Sequence, residues 1–414
     1  MKLVTSATAA NLADPRKPNP FVVLKKMRFP TTREIQSSFL EIQPDTTEEL
    51  NILDTLFPES NTLATSVEMY VTRQDSNGYV GMTFPHNLES EVRTFDRGAK
   101  IDIAKMEWNP MHFKDSKAWG ERQMVEMGKL LEEVSTPQIN EEIGEFLAVM
   151  KRRIRNRKQW MKHQVLKTGK ITIDGASVDN PDKLKYSVDY GVTNLVLDMP
   201  VKIDDKSVDG VSLLDPVKWI TDINRAGKFT NRKIVAMVVN SNFVDYLADN
   251  TFIRATIDYD MGLQTTQAVA TPRYVYAERA LDVFKRFTKI QVIFNDQVYE
   301  DKQGQQHYYF EDGQALLLYG SVGPLGEFVN TAHVDFTYSG NGVAISTGEY
   351  AYAVNKLKEV KPSYEIISGF SGMPMLKGYD PIDFTYERFK WVTFASHEIQ
   401  NPALPKRPDI GAPL

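Results

Sequence analysis

The chain has 414 residues, of which 42% are hydrophobic and 25% are charged, and its formal net charge is -5. This length predicts two or three packed units, and this composition is ordinary for a folded protein. The lack of cysteine excludes disulfides and thiolate zinc sites. A protein whose main task is to hold DNA usually has a basic balance, which this chain lacks. No apolar run approaches the roughly 20 residues that cross a bilayer, and the first residues are too polar for a secretory signal.

Prolines punctuate both ends of the chain, with four among residues 1–30 and four among residues 402–414. Because proline lacks an N–H donor and has a fixed φ, we predict that both ends are extended arms. Two disordered tails are the alternative. The apolar run FVVL at residues 21–24 favours an arm that is anchored on a neighbouring surface.

Residues 66–108 carry strand signals. The segment SVEMYVT at 66–72 is followed by the turn signal DSNG at 75–78. The segments VRTF and KIDIAKM flank a second turn signal, DRGA at 96–99, and Ile101 and Ile103 alternate with charged residues. We predict a long hairpin with one apolar and one charged face, which needs a further surface to lie against.

Two helices are predicted next. Residues 116–134 form the first, on the spacing of Trp119, Met124, Met127, Leu131 and Val134. Thr136 and Pro137 are suited to the start of the second. Its apolar stripe persists for about 30 residues, which corresponds to a rod about 45 Å long. The stripe consists of Ile139, Ile143, Phe146, Leu147, Met150, Ile154, Met161 and Val165.

The later part of this helix, residues 151–170, holds nine lysines and arginines and no acid. The helix is too long for a recognition helix that reads bases after a tight turn. Its bases occupy most of the circumference outside the apolar stripe. The simplest interpretation is therefore a solvated basic face on a structural helix, and a non-specific face turned towards phosphates is the alternative.

The remainder of the chain alternates strands and helices. After a β-rich stretch at 183–199, a capped helix begins at residue 215, a buried strand covers 233–240, and a further helix covers 278–287. Residues 289–320 predict a strand, a hairpin turn and two more strands, the last containing ALLLY at 315–319. We predict an α+β or α/β unit of about 130 residues.

The sequence offers no constellation of catalytic groups. The six histidines are scattered, no HExxH or phosphate-binding loop occurs, and GFSGM at 369–373 is one residue short of a nucleophile elbow. The acidic groups at 204–205, 258–260 and 311–312 lie beside turn residues, and none is assigned a metal. We therefore expect no catalytic, cofactor-binding or metal-binding residues, with an unusual hydrolase or transferase site as a remote alternative.

Five stretches in chain order carry a resemblance to a known family. They are FVVLKKMRFPTTREIQSSFLEI, VRTFDRGAKIDIAKM, WMKHQVLKTGKITIDG, FEDGQALLLYG and SYEIISGFSGMPMLKGYDPIDF. Together they resemble the major capsid proteins of tailed bacteriophages, specifically the lambda-like major capsid protein E family with the HK97 fold. In the first stretch the family's arm continues through F-P-x-T into a strand. Residues 44–61 and 75–87 depart from the family pattern and look like added loop material.

The resemblance implies an α+β, HK97-like capsid fold with an N-terminal arm, an extended E-loop hairpin, a P-domain with a long spine helix, and an A-domain. The implied boundaries are 1–65 (N-terminal arm and lead-in), 66–112 (E-loop hairpin region), 113–214 (P-domain with spine helix), 215–355 (A-domain), 356–395 (P-domain return strand) and 396–414 (C-terminal arm).

The implied function is that of a structural protein of the virion, assembled in the host cytoplasm. It self-assembles into hexamers and pentamers of an icosahedral head around double-stranded DNA, and it is not an enzyme. Expected partners are further copies, a scaffold protein, a portal and a decoration protein, with weak non-specific DNA contact and no membrane. The alternative is a non-specific nucleic-acid-binding protein that uses residues 151–170.

The resemblance also assigns two sets of surface residues. The residues expected to contact neighbouring subunits are Phe21, Val22, Leu24, Arg93, Phe95, Arg97, Lys100, Ile101 and Ile103. The residues expected to face the genome are Arg152, Arg155, Lys158 and Lys162. The apolar anchor and the hairpin would then find on a sister subunit the surface that a lone copy does not supply.

Overall fold

The computed structural model describes the chain in separate stretches. The described residues are 30–42, 51–73, 102–108, 110, 112–123, 136–174, 185–190, 192, 195–226, 233–262, 273–300, 305–335, 344–356, 363–376 and 388–396. Their helices are α1 (Thr32–Glu41), α2 (Ile52–Leu56), α3 (Thr136–Thr168), α4 (Pro216–Ala226), α5 (Phe243–Asp249), α6 (Thr251–Asp260) and α7 (Arg273–Thr288). No helix among them is both long and apolar enough to span a membrane.

The strands complete the α+β class that the sequence predicted. They are β1 (Glu59–Asn61), β2 (Val67–Arg73), β3 (Asp102–Trp108), β4 (His112–Gly120), β5 (Lys170–Asp174), β6 (Lys185–Asp189), β7 (Val196–Leu197), β8 (Ile234–Val239), β9 (Gln291–Phe294), β10 (Val298–Glu300), β11 (Gln306–Tyr308), β12 (Gln314–Tyr319), β13 (Gly326–Asn330), β14 (Ala332–Val334), β15 (Ile345–Thr347), β16 (Glu349–Asn355), β17 (Ser363–Leu376) and β18 (Phe389–Thr393).

The first large sheet is organised around β17, a strand of 14 residues. Its first half pairs antiparallel with β16 on one side and β4 on the other, and its second half pairs with β13. β1 then extends the sheet by pairing in parallel with β13. Tyr364, Ile366 and Phe370 are buried on one face of β17, because residues two apart on a strand share a face. The long helix α3 packs on this sheet.

Gly369 allows three strands to approach closely at the middle of this sheet. A Cβ atom at this position would clash with the Phe113 carbonyl oxygen on β4 and would lie 2.7 Å from the Tyr350 hydroxyl on β16. No side chain fits between these groups, so glycine is required here for packing rather than for an unusual φ.

The second large sheet has the strand order β7, β18, β12, β8, β9. β8 and β9 are parallel, and β12 runs antiparallel between β8 and β18. The sheet separates two hydrophobic cores: Leu316 and Leu318 of β12 belong to the core under α3, whereas Ala315 and Leu317 belong to the core with helices α4 to α7. A strand buried on both faces has a continuous apolar sequence, which confirms the prediction that ALLLY is a buried strand.

The segment after Pro30 is helical, which corrects the strand implied by the resemblance. Thr31 and Glu34 form a capping box at the start of α1: the Thr31 hydroxyl accepts from the Glu34 amide, and the Glu34 carboxylate accepts from the Thr31 amide. Ile35 and Phe39, one turn apart, are both buried. The capping pair and the i,i+4 apolar pair therefore favour a helix over an extended arm at residues 32–41. Residues 1–29 and 397–414, which include both predicted arms, lie outside the described residues.

The interpretation of residues 44–61 as added loop material is wrong for residues 51–61. Asn51 accepts a hydrogen bond from the Leu53 amide and caps α2. Leu53, Leu56 and Phe57 are completely buried, and β1 follows directly. The segment therefore belongs to the core under α3. The other segment interpreted as added, 75–87, lies outside the described residues.

The first predicted helix, at 116–134, is wrong in its first five residues, which belong to β4. Phe113 and Asp115 are half-buried between exposed neighbours on β4, and Trp119, at the same two-residue spacing, is buried. This period of two is that of a strand. Residues 121–123 are helical, and 124–135 lie outside the described residues.

The second predicted helix is confirmed as α3, which extends from Thr136 to Thr168. Ile143, Leu147, Met150, Ile154, Met161 and Val165 of the predicted stripe are buried, and Phe146 is half-buried. The predicted helices at 215–226 and 278–287 are likewise confirmed within α4 and α7, and the predicted strand at 233–240 is confirmed as β8.

Within the predicted hairpin region, the structure describes one pair of strands. β3 pairs antiparallel with β2, from Val67 opposite Trp108 to Arg73 opposite Asp102. The segment VRTF at 92–95 was expected to be its partner, and this segment lies with the rest of 74–101 outside the described residues. β3 leads within four residues into β4, so the pair is attached at an outer strand of the first sheet.

Sheet membership differs from the implied domain limits in two places. β18 was assigned to the return strand of the P-domain, but it pairs with β12 and β7 in the second sheet. β13 and β16 were assigned to the A-domain, but they pair with β17 in the first sheet. The chain therefore crosses between the two sheets more often than the implied boundaries suggest.

Candidate assembly and phosphate-facing surfaces

The basic part of α3 is held against the first sheet by ion pairs. The Lys158 ammonium lies 2.9 Å from Glu59 Oε2 and 2.8 Å from Glu349 Oε1, and its side chain is only 3% exposed. The Lys162 ammonium lies 2.6 Å from Asp54 Oδ1 and is 1% exposed. Lys158 and Lys162 therefore do not face a genome in this chain, which corrects that assignment. A buried ammonium requires a counter-charge within hydrogen-bonding distance, and the two lysines find theirs inside the fold.

Three groups around Lys158 complete this cluster. Asn330 donates from its side-chain amide to Glu59 Oε2 at 2.9 Å. The rings of Phe328 and Phe370 lie with their centroids 5.3 and 5.4 Å from the Lys158 ammonium. Burial alone would raise the pKa of Glu59, but Lys158 and the Asn330 hydrogen bond outweigh it, so the pKa is lowered. Glu59 is consequently ionised and provides the negative charge that Lys158 needs.

The rest of the basic run divides into engaged and outward-facing residues. Lys151 donates to the carbonyl oxygens of Phe39, Leu40 and Ile42 at the end of α1, at 2.9, 3.3 and 2.5 Å. These carbonyls lack partners within the helix, so the ammonium caps it. Arg157 lies over the rings of Phe113 and Trp160, and burial lowers its pKa.

Arg152 and Arg153 have exposed side chains on the outer face of α3. Arg153 forms an ion pair with Asp115 of β4 at 2.9 Å, although its side chain remains 65% exposed. Arg155 is half-buried. Of the four residues assigned to the genome, Arg152 and Arg155 are thus the ones with access to solvent.

A second buried group on α3 is His163, which lies among aromatic rings. The ring centroids of Tyr309, Trp391, Phe310 and Tyr299 are 5.5, 5.9, 6.3 and 6.4 Å away. Neither ring nitrogen of His163 makes a hydrogen bond within the part of the chain that the structure describes. Burial first, and then the Lys167 charge, lowers its pKa to about 4, while Glu311 and the Tyr309 backbone oppose this effect. His163 is therefore neutral near pH 7.

This aromatic cluster joins three parts of the fold. Tyr299 lies on β10, Trp391 lies on β18, and His163 lies on the last turns of α3. Trp391 also donates from its indole nitrogen to the Leu166 carbonyl at 2.6 Å. Near the cluster, Lys167 and Glu311 form an ion pair at 2.6 Å. The end of the long helix is thus fixed to the second sheet, as its middle is fixed to the first.

The residues assigned to subunit contacts lie mostly outside the described stretches. These are Phe21, Val22, Leu24, Arg93, Phe95, Arg97, Lys100 and Ile101. Ile103 is described in its backbone, where it pairs with Thr72 across β2 and β3. Their roles stay predictions.

The acidic groups considered as metal ligands have protein partners. Asp204 accepts from the Ser396 amide, Asp258 accepts from the Tyr276 hydroxyl, and Asp260 pairs with Arg286. Across the described stretches, no group of three or more histidine, aspartate or glutamate side chains has an arrangement suited to a metal ion.

Sequence reasoning missed the acids that hold the basic helix, Asp54, Glu59 and Glu349. They are far from α3 in the chain. Asp54 and Glu59 lie in an acid-rich stretch at 45–59, but neither this stretch nor the surroundings of Glu349 indicate a partner on α3. A signal was nevertheless present in the position of the lysines. Lys158 lies four residues after Ile154 and three before Met161, so it continues the buried stripe.

Comparison with known proteins gives one family match. The sequence profile described as phage major capsid protein E matches residues 49–332. Among solved structures, the chain is similar to the putative capsid protein of a prophage of Escherichia coli CFT073, with 12% identity and a TM-score of 0.44, covering 91% of this chain and 97% of that one. It is also similar to a phage-related protein from Bordetella bronchiseptica RB50, with 9% identity and a TM-score of 0.43, covering 88% and 98%. A third similar structure is from Mycobacterium phage Bobi, with 9% identity and a TM-score of 0.40, covering 92% and 100%.

The first prediction concerns the buried ion pairs. Lys158→Met keeps much of the side-chain volume but leaves Glu59 and Glu349 without their shared counter-charge. We expect the free energy of unfolding, measured by urea denaturation, to fall by about 3 kcal/mol. Arg153→Met removes an ion pair that is largely exposed and should cost at most about 1 kcal/mol. Equal losses in the two variants would contradict a special role for the buried lysine.

The second prediction concerns His163 and pH. Its pKa is about 4 in the folded chain and 6.5 as the ordinary value, so the unfolded state binds the proton more tightly. Stability from this residue is complete above about pH 6.5 and falls as the pH drops towards 4, by about 2 kcal/mol between pH 7 and pH 5. His163→Phe should remove this part of the loss, whereas His307→Phe should not. An unchanged pH dependence in His163→Phe would exclude the proposed cause.

Proposed function

The chain belongs to the phage major capsid protein E family, and from that premise we propose how its copies build a shell. The chain is a capsid-forming protein of the virion and associates with copies of itself, as membership of this family establishes. We propose that the copies form hexamers and pentamers that close into an icosahedral head around double-stranded DNA. The observation that carries this proposal is the family match across residues 49–332. The family is structural, and we propose that this member acts structurally rather than as an enzyme.

We propose that the contacts between copies use elements attached at the margins of the two sheets. The strand pair β2 and β3 leads directly into β4, an outer strand of the first sheet. We propose that the residues between these strands, which include Arg93 and Arg97, contact a neighbouring copy. Rigid attachment matters because repeated contacts close into a shell only when each has a defined angle. The long helix α3, fixed to both sheets, supplies such rigidity.

We propose further roles for the rest of the chain that follow the same division. Residues 1–29 and 397–414 act as arms on neighbouring copies. α3 and the β17 sheet form the P-domain, and the β12 sheet with α4 to α7 forms the A-domain, which then includes β7 and β18. The expected partners beyond further copies are a scaffold protein, a portal and a decoration protein, with assembly in the host cytoplasm.

The third prediction tests assembly through the hairpin. Deletion of residues 96–99, or the double change Arg93→Ala and Arg97→Ala, should abolish closed shells in electron micrographs of the purified protein, alone or with its scaffold. Because both arginines are proposed to contact a neighbouring copy, the free energy of unfolding of the double variant should stay within about 0.5 kcal/mol of wild type. Arg225→Ala, on the exposed side of α4, is the control and should assemble normally. Normal shells from both hairpin variants would contradict the proposal.

Contact with the genome is proposed for the exposed part of α3 only. Arg152 is exposed and Arg155 is half-buried, whereas the side chains of Lys158 and Lys162 are buried. Two accessible charges fit weak contact with phosphates, which is compatible with later release of DNA. The alternative of a dedicated nucleic-acid-binding protein is not supported, because the family is one of capsid proteins and half of the assigned bases are buried.

The fourth prediction tests this contact. The double change Arg152→Gln and Arg155→Gln should weaken non-specific binding of duplex DNA at low salt. The slope of the logarithm of the binding constant against the logarithm of salt concentration should also become less negative, by about 1 to 2. Lys218→Gln on α4 is the matched control. A salt dependence equal to that of wild type would contradict the proposal that α3 contacts the genome.

A further inference from the structure

Helix α1 lies along one edge of strand β16, whose other edge pairs with β17; within the described stretches no other strand pairs with β16. The amides and carbonyls of Tyr350, Tyr352 and Val354 point to β17, so those of Glu349, Ala351 and Ala353 point outwards. An outward row of this kind is a template for another strand. The question is therefore what satisfies it.

Two side chains of α1 form hydrogen bonds with four groups of this row. The Thr32 hydroxyl donates to the Ala353 carbonyl at 3.0 Å and accepts from the Ala353 amide at 3.3 Å. The Gln36 carbonyl oxygen accepts from the Ala351 amide at 2.5 Å, and its amide group donates to the Glu349 carbonyl at 3.5 Å. Each side chain thus supplies one donor and one acceptor, as a residue of an added strand would do.

The spacing of the two side chains explains why a helix can do this. Thr32 and Gln36 are one turn apart on the same helical face, about 6 Å along the axis. Outward groups on a strand recur every second residue, about 6.8 Å apart. The two repeats agree closely enough for both side chains to reach successive outward positions. The backbone groups of α1 are engaged within the helix or by the Thr31 and Lys151 side chains at its ends, so α1 offers no strand edge onto which the sheet could grow.

α1 is held in this position at both ends. The Tyr364 hydroxyl donates to the Pro30 carbonyl at 2.9 Å just before the helix, and Lys151 binds the carbonyls at its other end. Ile35 and Phe39 bury the inner face of α1 in the core under α3. The contacts with β16 are thus part of a defined docking geometry rather than a chance approach of two surface side chains.

We infer that α1 is a cover over a strand-accepting edge, and that the edge fits the same edge of a second copy of this chain. Two copies of β16 can pair antiparallel about a twofold axis, because antiparallel pairing of identical strands is symmetric. Sister copies reach high local concentration when a capsid-forming protein accumulates. An uncovered edge would then join copies in a geometry that competes with the shell. Thr32 and Gln36 prevent this off-path dimer.

The fifth prediction removes the hydrogen bonds that hold α1 on the edge of β16, so that α1 can separate from this edge. The double change Thr32→Val and Gln36→Leu keeps side-chain volume but eliminates all four hydrogen bonds to β16. We expect the purified, unassembled chain to form dimers and larger β-rich species whose proportion rises with concentration, measured by light scattering after size-exclusion chromatography. At concentrations where wild type shows almost none, at least half of the variant should be associated. The amides of Ala351 and Ala353 should remain protected from hydrogen exchange in these dimers.

The matched control is Ser37→Ala with Ser38→Ala, which changes two exposed residues of the same helix and should behave as wild type. Adding Val354→Lys to the uncovered variant places a charge on the edge strand and should restore the wild-type mass distribution. Circular dichroism establishes that each variant is folded. If the double variant unfolds, Gln36→Leu alone provides the same comparison with two hydrogen bonds removed.

A folded, uncovered variant with the mass distribution of wild type would overturn the inference. So would association that Val354→Lys leaves unchanged, or dimers in which the Ala351 and Ala353 amides exchange freely. The test does not depend on shell geometry, because association is measured on the purified, unassembled chain. Failure to form shells in the hairpin variants would therefore leave this test unaffected.

Discussion

The structure depends on two charged lysines that lie on the buried face of the long helix α3. Removing Lys158 from water is unfavourable unless nearby carboxylates compensate, and here Glu59 and Glu349 come from two separate strands of the first sheet. The ion pairs therefore specify where α3 lies as well as holding it there. Lys162 with Asp54 repeats the arrangement one turn later. Sliding of the helix along the sheet would leave these five charged groups without partners, so a single position is strongly preferred.

Much of the fold could be predicted from local patterns. The length of α3, the buried strands β8 and β12, and the α+β class follow from periodicity, because these elements bury a regular face. The wrong predictions concern short segments in which the sequence fits two kinds of secondary structure. Trp119 fits a helical spacing with later residues, but the alternation from Phe113 to Trp119 follows the strand. The start of α1 is indicated by the capping box of Thr31 and Glu34. The prediction followed the family resemblance instead, which implied a strand at this position.

The candidate surfaces were less predictable for a physical reason. A basic helix indicates its charges but not the direction in which they point, and the direction depends on acids distant in the chain. Lys158 and Glu59 are 99 residues apart, and no local pattern relates them. The covered edge of β16 is similar, since Thr32 meets Ala353 across 321 residues. Such contacts arise only when the sheets are assembled, although the position of Lys158 within the apolar stripe was a readable sign of burial.

The crossing of the chain between the two sheets has a consequence for synthesis. β18, near residue 390, completes a sheet whose other strands begin around residue 196, and it carries Trp391 into the aromatic cluster at the end of α3. The sheet therefore lacks one of its internal strands until the ribosome has passed this point, and long-range pairings of this kind form slowly. On a nascent chain this unit therefore stays incomplete until β18 has emerged, which delays the rigid form of the subunit that builds the particle.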